Sequence, residues 1–345
     1  QFLLNYKNGR LRGGEPLSLR NFADQNAGDD VDAQVRQLTY ALLRKVERQR
    51  RTIVGPAHKA PDRVREEMLR SPKLQQIIAE LAGPEPEQRR LLTDKARSML
   101  LQLQTVPDAD VARNVEIVAG QLLDHMYAGI DVDEEGIERI RAAAGLGSVV
   151  LLPSHKSHVD YIVLSYALRQ RAIQLPVIAA GDNLAFFPVG PILRRAGAFF
   201  IRRSFRGDRL YTAVVSAYVR RLLREGWIVE FFLEGGRSRT GKLLPPALGL
   251  LNMVVAAALQ LERRRVFFVP VSIGYERLME ESAFARELSG GAKEAEHATQ
   301  LLRLGGLLND RFGRVNLQFG RIFELDELRD ERGIGRQQTA ASPHP

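Results

Sequence analysis

After about Gly145 the sequence alternates short apolar runs with helix-like patterns, and this alternation constrains the fold more than any other feature. The length and continuity of the apolar runs predict strands buried on both faces. These runs are rich in Val, Ile and Phe and cover residues 149–152, 177–180, 198–201, 228–233 and 266–273. Helical periodicity predicts helices near 159–170, 208–225 and 246–262. The sequence therefore predicts an α/β fold with a largely parallel central sheet flanked by helices.

The first 135 residues have a different pattern. Apolar residues recur there at intervals of three and four, as at Val35, Leu38 and Leu42, and Pro or Gly separates the periodic stretches. Such a pattern predicts a series of short helices. We therefore expect a mainly helical N-terminal region at 1–135, an α/β domain at 136–330, and a polar tail at 331–345, at a truncated or joined end of the chain.

The composition favours an anionic partner. The 345-residue chain carries a formal net charge of +9, and 42 of its 50 cationic residues are arginine, the side chain best shaped for bidentate contacts with phosphate. The chain has no Cys, which excludes disulfides, thiolate metal sites and a Cys nucleophile. No apolar run reaches the ~18 to 20 residues of a membrane-spanning helix.

A histidine and an aspartate, His155 and Asp160, follow the first predicted strand of the α/β domain. Open α/β sheets form ligand sites at such strand ends. A turn into the next helix would let the carboxylate of Asp160 contact Nδ1 of His155 and leave Nε2 free to take a proton. The two residues would then correspond to the His and Asp of a charge relay that lacks its nucleophile. No Ser lies in a Gly-x-Ser-x-Gly motif, so a hydroxyl of the substrate would be the nucleophile.

The same residues have two other interpretations. A His and an Asp at this spacing also occur as a structural pair in a protein core. His155, His158 and Asp160 also resemble, with the spacing wrong by one residue, the His-x-His-x-Asp loop of metallo-hydrolases.

Two further segments place cations directly after predicted strands. The run 197–204 is apolar until it reaches Arg202 and Arg203. In the run 231–242, glycines that allow close backbone approach to an anion alternate with charged groups, which predicts a phosphate cradle; the residues are Glu234, Gly235, Gly236, Arg237, Arg239 and Lys242. Their order matches neither a Walker loop nor a dinucleotide fingerprint. A basic loop without a ligand is the alternative.

A fourth segment, 269–276, is a β-rich run that contains Pro270. Together, in this order, the four segments resemble the four blocks of the glycerolipid acyltransferase superfamily, whose signature is His-x4-Asp. The resemblance is closest to the long bacterial membrane-associated glycerol-3-phosphate acyltransferases, because Arg202 stands where lysophosphatidate acyltransferases usually carry an acid. The sequence Glu-Gly-Gly-Arg-Ser-Arg at 234–239 also favours this branch. The resemblance covers roughly residues 110–325.

The resemblance implies a role for each candidate site residue. His155 would act as general base for the sn-1 hydroxyl of glycerol 3-phosphate, and Asp160 would orient its ring. Arg203, Arg237 and Arg239 would bind the phosphate, with Arg202 and Lys242 as helpers. Ser157 and Glu234 would contact the glycerol or support the loop, and Gly235 and Gly236 would permit close backbone approach.

The resemblance also implies partners and a location. The acyl donor would be acyl-CoA or an acyl-acyl carrier protein, and the product lysophosphatidate, in the first step of phospholipid synthesis. It implies no cofactor, no metal and no nucleic acid, and peripheral attachment to an anionic membrane surface at the cytoplasmic face of the bacterial inner membrane. The alternatives are dihydroxyacetone phosphate or lysophosphatidate as acceptor, a metal-dependent hydrolase, and a basic nucleic-acid-binding protein.

Overall fold

The computed structural model describes residues 16–202, 207–238, 242–261, 265–281 and 311–327. Prolines that interrupt the apolar periodicity begin helices, since a proline at the first position of a helix loses no hydrogen bond; Pro61, Pro72 and Pro86 are in this position. The N-terminal region is helical, as the sequence predicts. It contains α1 (Leu19–Gln25), α2 (Val31–Val54), α3 (Pro61–Leu69), α4 (Pro72–Ala82), α5 (Pro86–Leu103) and α6 (Ala109–Met126).

Strands and helices then alternate. The strands are β1 (Gly129–Val132), β2 (Gly147–Pro153), β3 (Val177–Gly181), β4 (Ala198–Ile201), β5 (Ile228–Glu230), β6 (Arg265–Tyr275), β7 (Arg314–Phe319) and β8 (Phe323–Glu324). The helices are α7 (Glu134–Leu146), α8 (Asp160–Gln170), α9 (Val189–Ala196), α10 (Arg209–Glu225) and α11 (Leu248–Leu259).

The strands form one sheet in the order β1-β7-β6-β2-β5-β3-β4, and β8 pairs with β6. The five strands from β6 to β4 are parallel to their neighbours, whereas β7 and β8 run antiparallel to β6. The predicted α/β fold with a largely parallel sheet is therefore confirmed. Because β2 has β5 and β6 as neighbours, the loops that follow these three strands meet at one edge of the sheet.

Both faces of the sheet are covered by helices. Helices α3 to α5, α10 and α11 pack on one face, and α6 to α8 pack on the other. Along β2, Val150 belongs to the first core and Val149 and Leu151 to the second. This double burial explains why the central strands are almost continuously apolar.

The structure differs from the expected elements at three places. Strand β5 ends at Glu230 rather than at residue 233, because the chain turns there into the loop that follows it. Strand β7 was not predicted, because its exposed positions alternate with buried ones and one face is polar. Strand β1, only four residues long, lies within the region expected to be helical and pairs with β7.

Glu230 is an ionisable residue at the end of β5, a central strand of this sheet. It is completely buried, and neither carboxyl oxygen has a hydrogen-bond partner among the described residues. Burial, assisted by the negative charge of Asp160, raises the pKa of Glu230 well above its ordinary value. We therefore expect this carboxyl group to be protonated in the folded protein.

Replacing Glu230 by neutral Gln tests this expectation. The unfolded chain releases the proton above about pH 4.3, while the folded protein keeps it, so wild-type stability falls by about 1.4 kcal/mol per pH unit until the folded pKa is reached. Glu230→Gln removes this loss, and the stability of the variant relative to wild type should rise as the pH increases above about 5. Urea denaturation at several pH values measures the difference. The exposed control Glu87→Gln should show no such trend; a difference for Glu230→Gln that is constant with pH would contradict the expectation.

Candidate active site

The candidate site lies where β2, β5 and β6 end. The loop after β2 carries His155, the loop after β5 carries Arg237, and the turn after β6 carries Glu280. The strand order places these segments side by side, although they are far apart in the sequence.

The carboxylate of Asp160 holds His155 and its loop. Asp160 is completely buried at the first position of α8. Its Oδ2 accepts hydrogen bonds from Nδ1 of His155 at 2.9 Å, from the backbone N–H of Lys156 at 2.7 Å and from that of Ser157 at 2.9 Å. Its Oδ1 accepts from the hydroxyl of Tyr275 at 2.5 Å. With Nδ1 bound to the carboxylate, Nε2 is the nitrogen left to exchange a proton with a ligand.

The segment after β5 holds His155 from the other side. The ring of Phe232 stacks on the imidazole, with centroids 4.0 Å apart. The backbone N–H of His155 donates to Oε1 of Glu234 at 2.9 Å, and its carbonyl accepts from the N–H of Ser238 at 2.8 Å. Oε2 of Glu234 accepts from the N–H of Leu244 at 2.8 Å, so Glu234 supports the loops around the histidine.

Arg237 is buried and paired. Its guanidinium NH1 lies 3.1 Å from Oε1 of Glu280, and only 5% of its side chain is exposed. Glu280 also accepts from the hydroxyl of Ser157 at 3.0 and 3.1 Å and from the backbone N–H of His158 at 2.9 Å. Burial raises the pKa of Glu280, and these donors oppose that shift. Ser157, also buried, supports the loop through this carboxylate.

The other predicted site residues lie at different places. Arg202 pairs with Asp208 at 3.1 Å, and its guanidinium lies 4.2 Å from the ring centre of Tyr211. Lys242 is exposed. Arg203 and Arg239 lie outside the described residues.

A large cavity opens beside the histidine. Its volume is 1220 Å³, above the range of about 300–1,000 Å³ for small-molecule pockets. Apolar side chains of α6, α8, β3 and α9 form much of the wall. Polar and glycine residues also line the cavity, namely His155, His158, Arg202, Gly235, Gly236 and Arg237. Gly235 has φ of +63°, a conformation that favours glycine.

Within the described ranges, no group of three or more His, Asp and Glu residues is arranged to hold a metal ion. No helix in those ranges has the length and apolar character needed to cross a membrane.

Three residues of the site were missed by the sequence analysis. Tyr275 and Glu280 belong to the segment at and after β6, and Phe232 follows β5. Tyr275 is the last residue of the apolar strand β6, and Glu280 follows it by five residues; polar groups at the end of an apolar strand were an available signal. Their partners lie 115 residues away for Tyr275 and 123 for Glu280, so the sequence alone did not reveal the contacts.

Known proteins resemble this chain in sequence. Residues 131–274 match the family model described as acyltransferase, and residues 284–345 match the glycerol-3-phosphate acyltransferase C-terminal region. The chain is 36% identical over 326 residues, 93% of its length, to the glycerol-3-phosphate acyltransferase of Pseudomonas paraeruginosa. It is 39% identical over 301 residues, 85% of its length, to that of Histophilus somni. It spans only 38% and 36% of these relatives.

One solved structure is also similar. The 1-acyl-sn-glycerophosphate acyltransferase of Thermotoga maritima aligns with 83% of this chain and 100% of its own, with a TM-score of 0.38 and 16% identity.

The match over residues 131–274 shows that this α/β unit contains a domain of the acyltransferase family. Within that family it is a relative of the bacterial glycerol-3-phosphate acyltransferases named above.

The hydrogen bond from Tyr275 to Asp160 can be tested by removing the hydroxyl. Burial, with the nearby Asp160 charge, raises the pKa of Tyr275 well above its ordinary value, so the hydroxyl remains a donor. Tyr275→Phe should lower the free energy of unfolding by about 1–3 kcal/mol, because a buried carboxylate loses a donor. Urea denaturation measures this loss.

Tyr127 provides a matched control. Its ring centroid lies 5.9 Å from that of Tyr275, and its buried hydroxyl has no hydrogen-bond partner in the part of the chain that is described. Tyr127→Phe should therefore be neutral or stabilising. Equal losses in the two variants would show that the Tyr275 hydroxyl has no special role in holding Asp160.

Proposed function

We propose that this chain is the acyl-transferring part of an enzyme that moves a fatty acyl group from a thioester to the sn-1 hydroxyl of glycerol 3-phosphate. The observation that carries the proposal is the His155–Asp160 pair at the wall of a large apolar cavity that Arg237 also lines. The similarity to glycerol-3-phosphate acyltransferases supports this choice of acceptor.

The proposed reaction uses the histidine twice. Nε2 of His155 takes the proton of the sn-1 hydroxyl while the oxygen attacks the thioester carbonyl, and the new O–C bond gives a tetrahedral intermediate. The C–S bond then breaks, and the imidazolium returns the proton to the departing sulfur. Asp160 keeps Nδ1 protonated and stabilises the positive ring. The products are lysophosphatidate and a free thiol.

The phosphate of the acceptor would orient the hydroxyl. Arg237 lines the cavity and would donate to the phosphate, together with Arg203 and Arg239, and Arg202 and Lys242 would be helpers. Binding energy from this remote group would place the hydroxyl at the histidine, so that loss of the phosphate should reduce turnover as well as affinity.

The apolar cavity would receive the acyl chain of the donor. Its volume and apolar walls suit a long hydrocarbon chain. The reactive thioester is the same in acyl-CoA and in acyl-acyl carrier protein. We therefore propose an acyl thioester as the donor class, and the assay below compares the two donors.

A thiol-release assay with glycerol 3-phosphate and each donor tests the activity. His155→Ala should lower turnover by about 100- to 10,000-fold, because the general base is lost. The control His125→Ala changes an exposed histidine of α6 and should retain wild-type turnover. Full activity in His155→Ala would remove the proposed mechanism.

The same assay separates the alternatives. Faster acylation of dihydroxyacetone phosphate or lysophosphatidate would identify a different acceptor. Activity that is lost with a chelator and restored by a divalent cation would favour the metal-dependent hydrolase. Salt-sensitive binding of nucleic acid without thiol release would favour the nucleic-acid-binding alternative.

We further propose that three exposed apolar residues, Phe187, Leu243 and Leu248, dock on an anionic bilayer at the cytoplasmic face of the bacterial inner membrane. Phe187, Leu243 and Leu248 are 84%, 74% and 50% exposed, although they are large apolar residues, and Leu248 also lines the cavity. Arg195 and Lys242 are exposed in the same segments and have the charge that anionic lipid attracts. A long-chain product could then pass between cavity and bilayer.

Vesicle flotation tests this docking surface. The triple variant Phe187→Ser, Leu243→Ser, Leu248→Ser should bind anionic phospholipid vesicles more weakly than wild type, because it loses the apolar anchors. The control Leu43→Ser, Val46→Ser changes exposed apolar residues of α2, beside the basic run 44–51, and should bind normally. Loss of binding only in the α2 variant would assign membrane contact to that helix instead.

A further inference from the structure

Glu280 joins three segments of the site that are separate in the sequence. Its carboxylate accepts from the Ser157 hydroxyl and the His158 N–H on the loop that carries His155. It also pairs with Arg237 on the loop after β5. Glu280 itself belongs to the turn after β6. One carboxylate thus connects the loop of the candidate base with the guanidinium of the candidate phosphate site.

The loop 155–160 is held by two carboxylates. Asp160 accepts from His155, Lys156 and Ser157, while Glu280 accepts from the hydroxyl of Ser157 and from the N–H of His158. Asp160 therefore fixes the orientation of the His155 ring. Glu280 fixes the position of the loop 155–160 relative to Arg237, and with it the distance between the base and the phosphate site.

We propose that Glu280 is a positioning residue that couples phosphate binding at Arg237 to the alignment of His155. The proposal rests on the proposed function, because it requires a phosphorylated acceptor. When the phosphate of the acceptor binds Arg237, the sn-1 hydroxyl of the same molecule lies at a fixed distance from the guanidinium. The Glu280 bridge holds His155 at the matching distance from Arg237. Without the bridge, the phosphate still binds, but the acceptor hydroxyl is no longer aligned with Nε2 of His155.

Comparing acceptors with and without phosphate tests this coupling. Glu280→Gln keeps the size of the side chain and an oxygen for the loop donors but loses the ion pair with Arg237. With glycerol 3-phosphate, kcat should fall by about 100-fold, as expected when a reacting group is misplaced by about 1 Å. With glycerol, which has no phosphate to place it, kcat should fall by a much smaller factor.

Two further variants sharpen the comparison. Glu281→Gln changes the neighbouring exposed glutamate and should behave as wild type with both acceptors. Glu280→Asp keeps the charge on a shorter side chain and should recover part of the glycerol 3-phosphate rate. Rates with glycerol also show that each variant is folded and has a working base.

Each outcome has a distinct meaning. An equal loss with both acceptors would show that Glu280 only maintains the loop, and no loss with glycerol 3-phosphate would show that no coupling passes through it; either result overturns the proposal and leaves the proposed function intact. A wild-type enzyme that does not prefer glycerol 3-phosphate to glycerol would overturn both.

Discussion

The carboxylate of Asp160 is completely buried, and a charged group in that environment must be surrounded by donors. Three of its donors come from the five residues that precede it, and the fourth is the hydroxyl of Tyr275 on β6. The loop after β2 therefore wraps around this carboxylate. The orientation of His155 follows from the same requirement, because its Nδ1–H is one of the donors that the buried charge needs.

The order of the strands makes this arrangement possible. Strand β2 lies between β5 and β6, so the loop carrying His155 has the loop of Arg237 on one side and Tyr275 with Glu280 on the other. Parallel pairing places all three strand ends at one edge. The central strands are buried on both faces, which gives this edge a rigid support, and the variable chemistry is carried by the loops.

Local sequence patterns predicted much of this architecture, but they could not predict contacts between segments that are far apart in the sequence. Strands β2, β3, β4 and β6 were predicted because each contains a nearly continuous apolar run, whereas β7, with alternating exposed positions, was missed. His155 and Asp160 were found because one turn of chain separates them. Tyr275 and Glu280 act across more than a hundred residues, and only the sheet order brings them to the site.

The pairing of Arg237 changes how a phosphate site here must obtain its charge. A guanidinium this deeply buried needs a counter-ion, and Glu280 supplies one, so the pair as a whole contributes little net positive charge. Arg237 then offers directed N–H donors, while net attraction for a phosphate must come from other cations. The sequence provides Arg202, Arg203, Arg239 and Lys242 in the two adjoining segments. A division of roles between a fixed, neutralised donor and other cations would bind the phosphate in one orientation and still attract it from solution, as the proposed acyl transfer to a single hydroxyl would require.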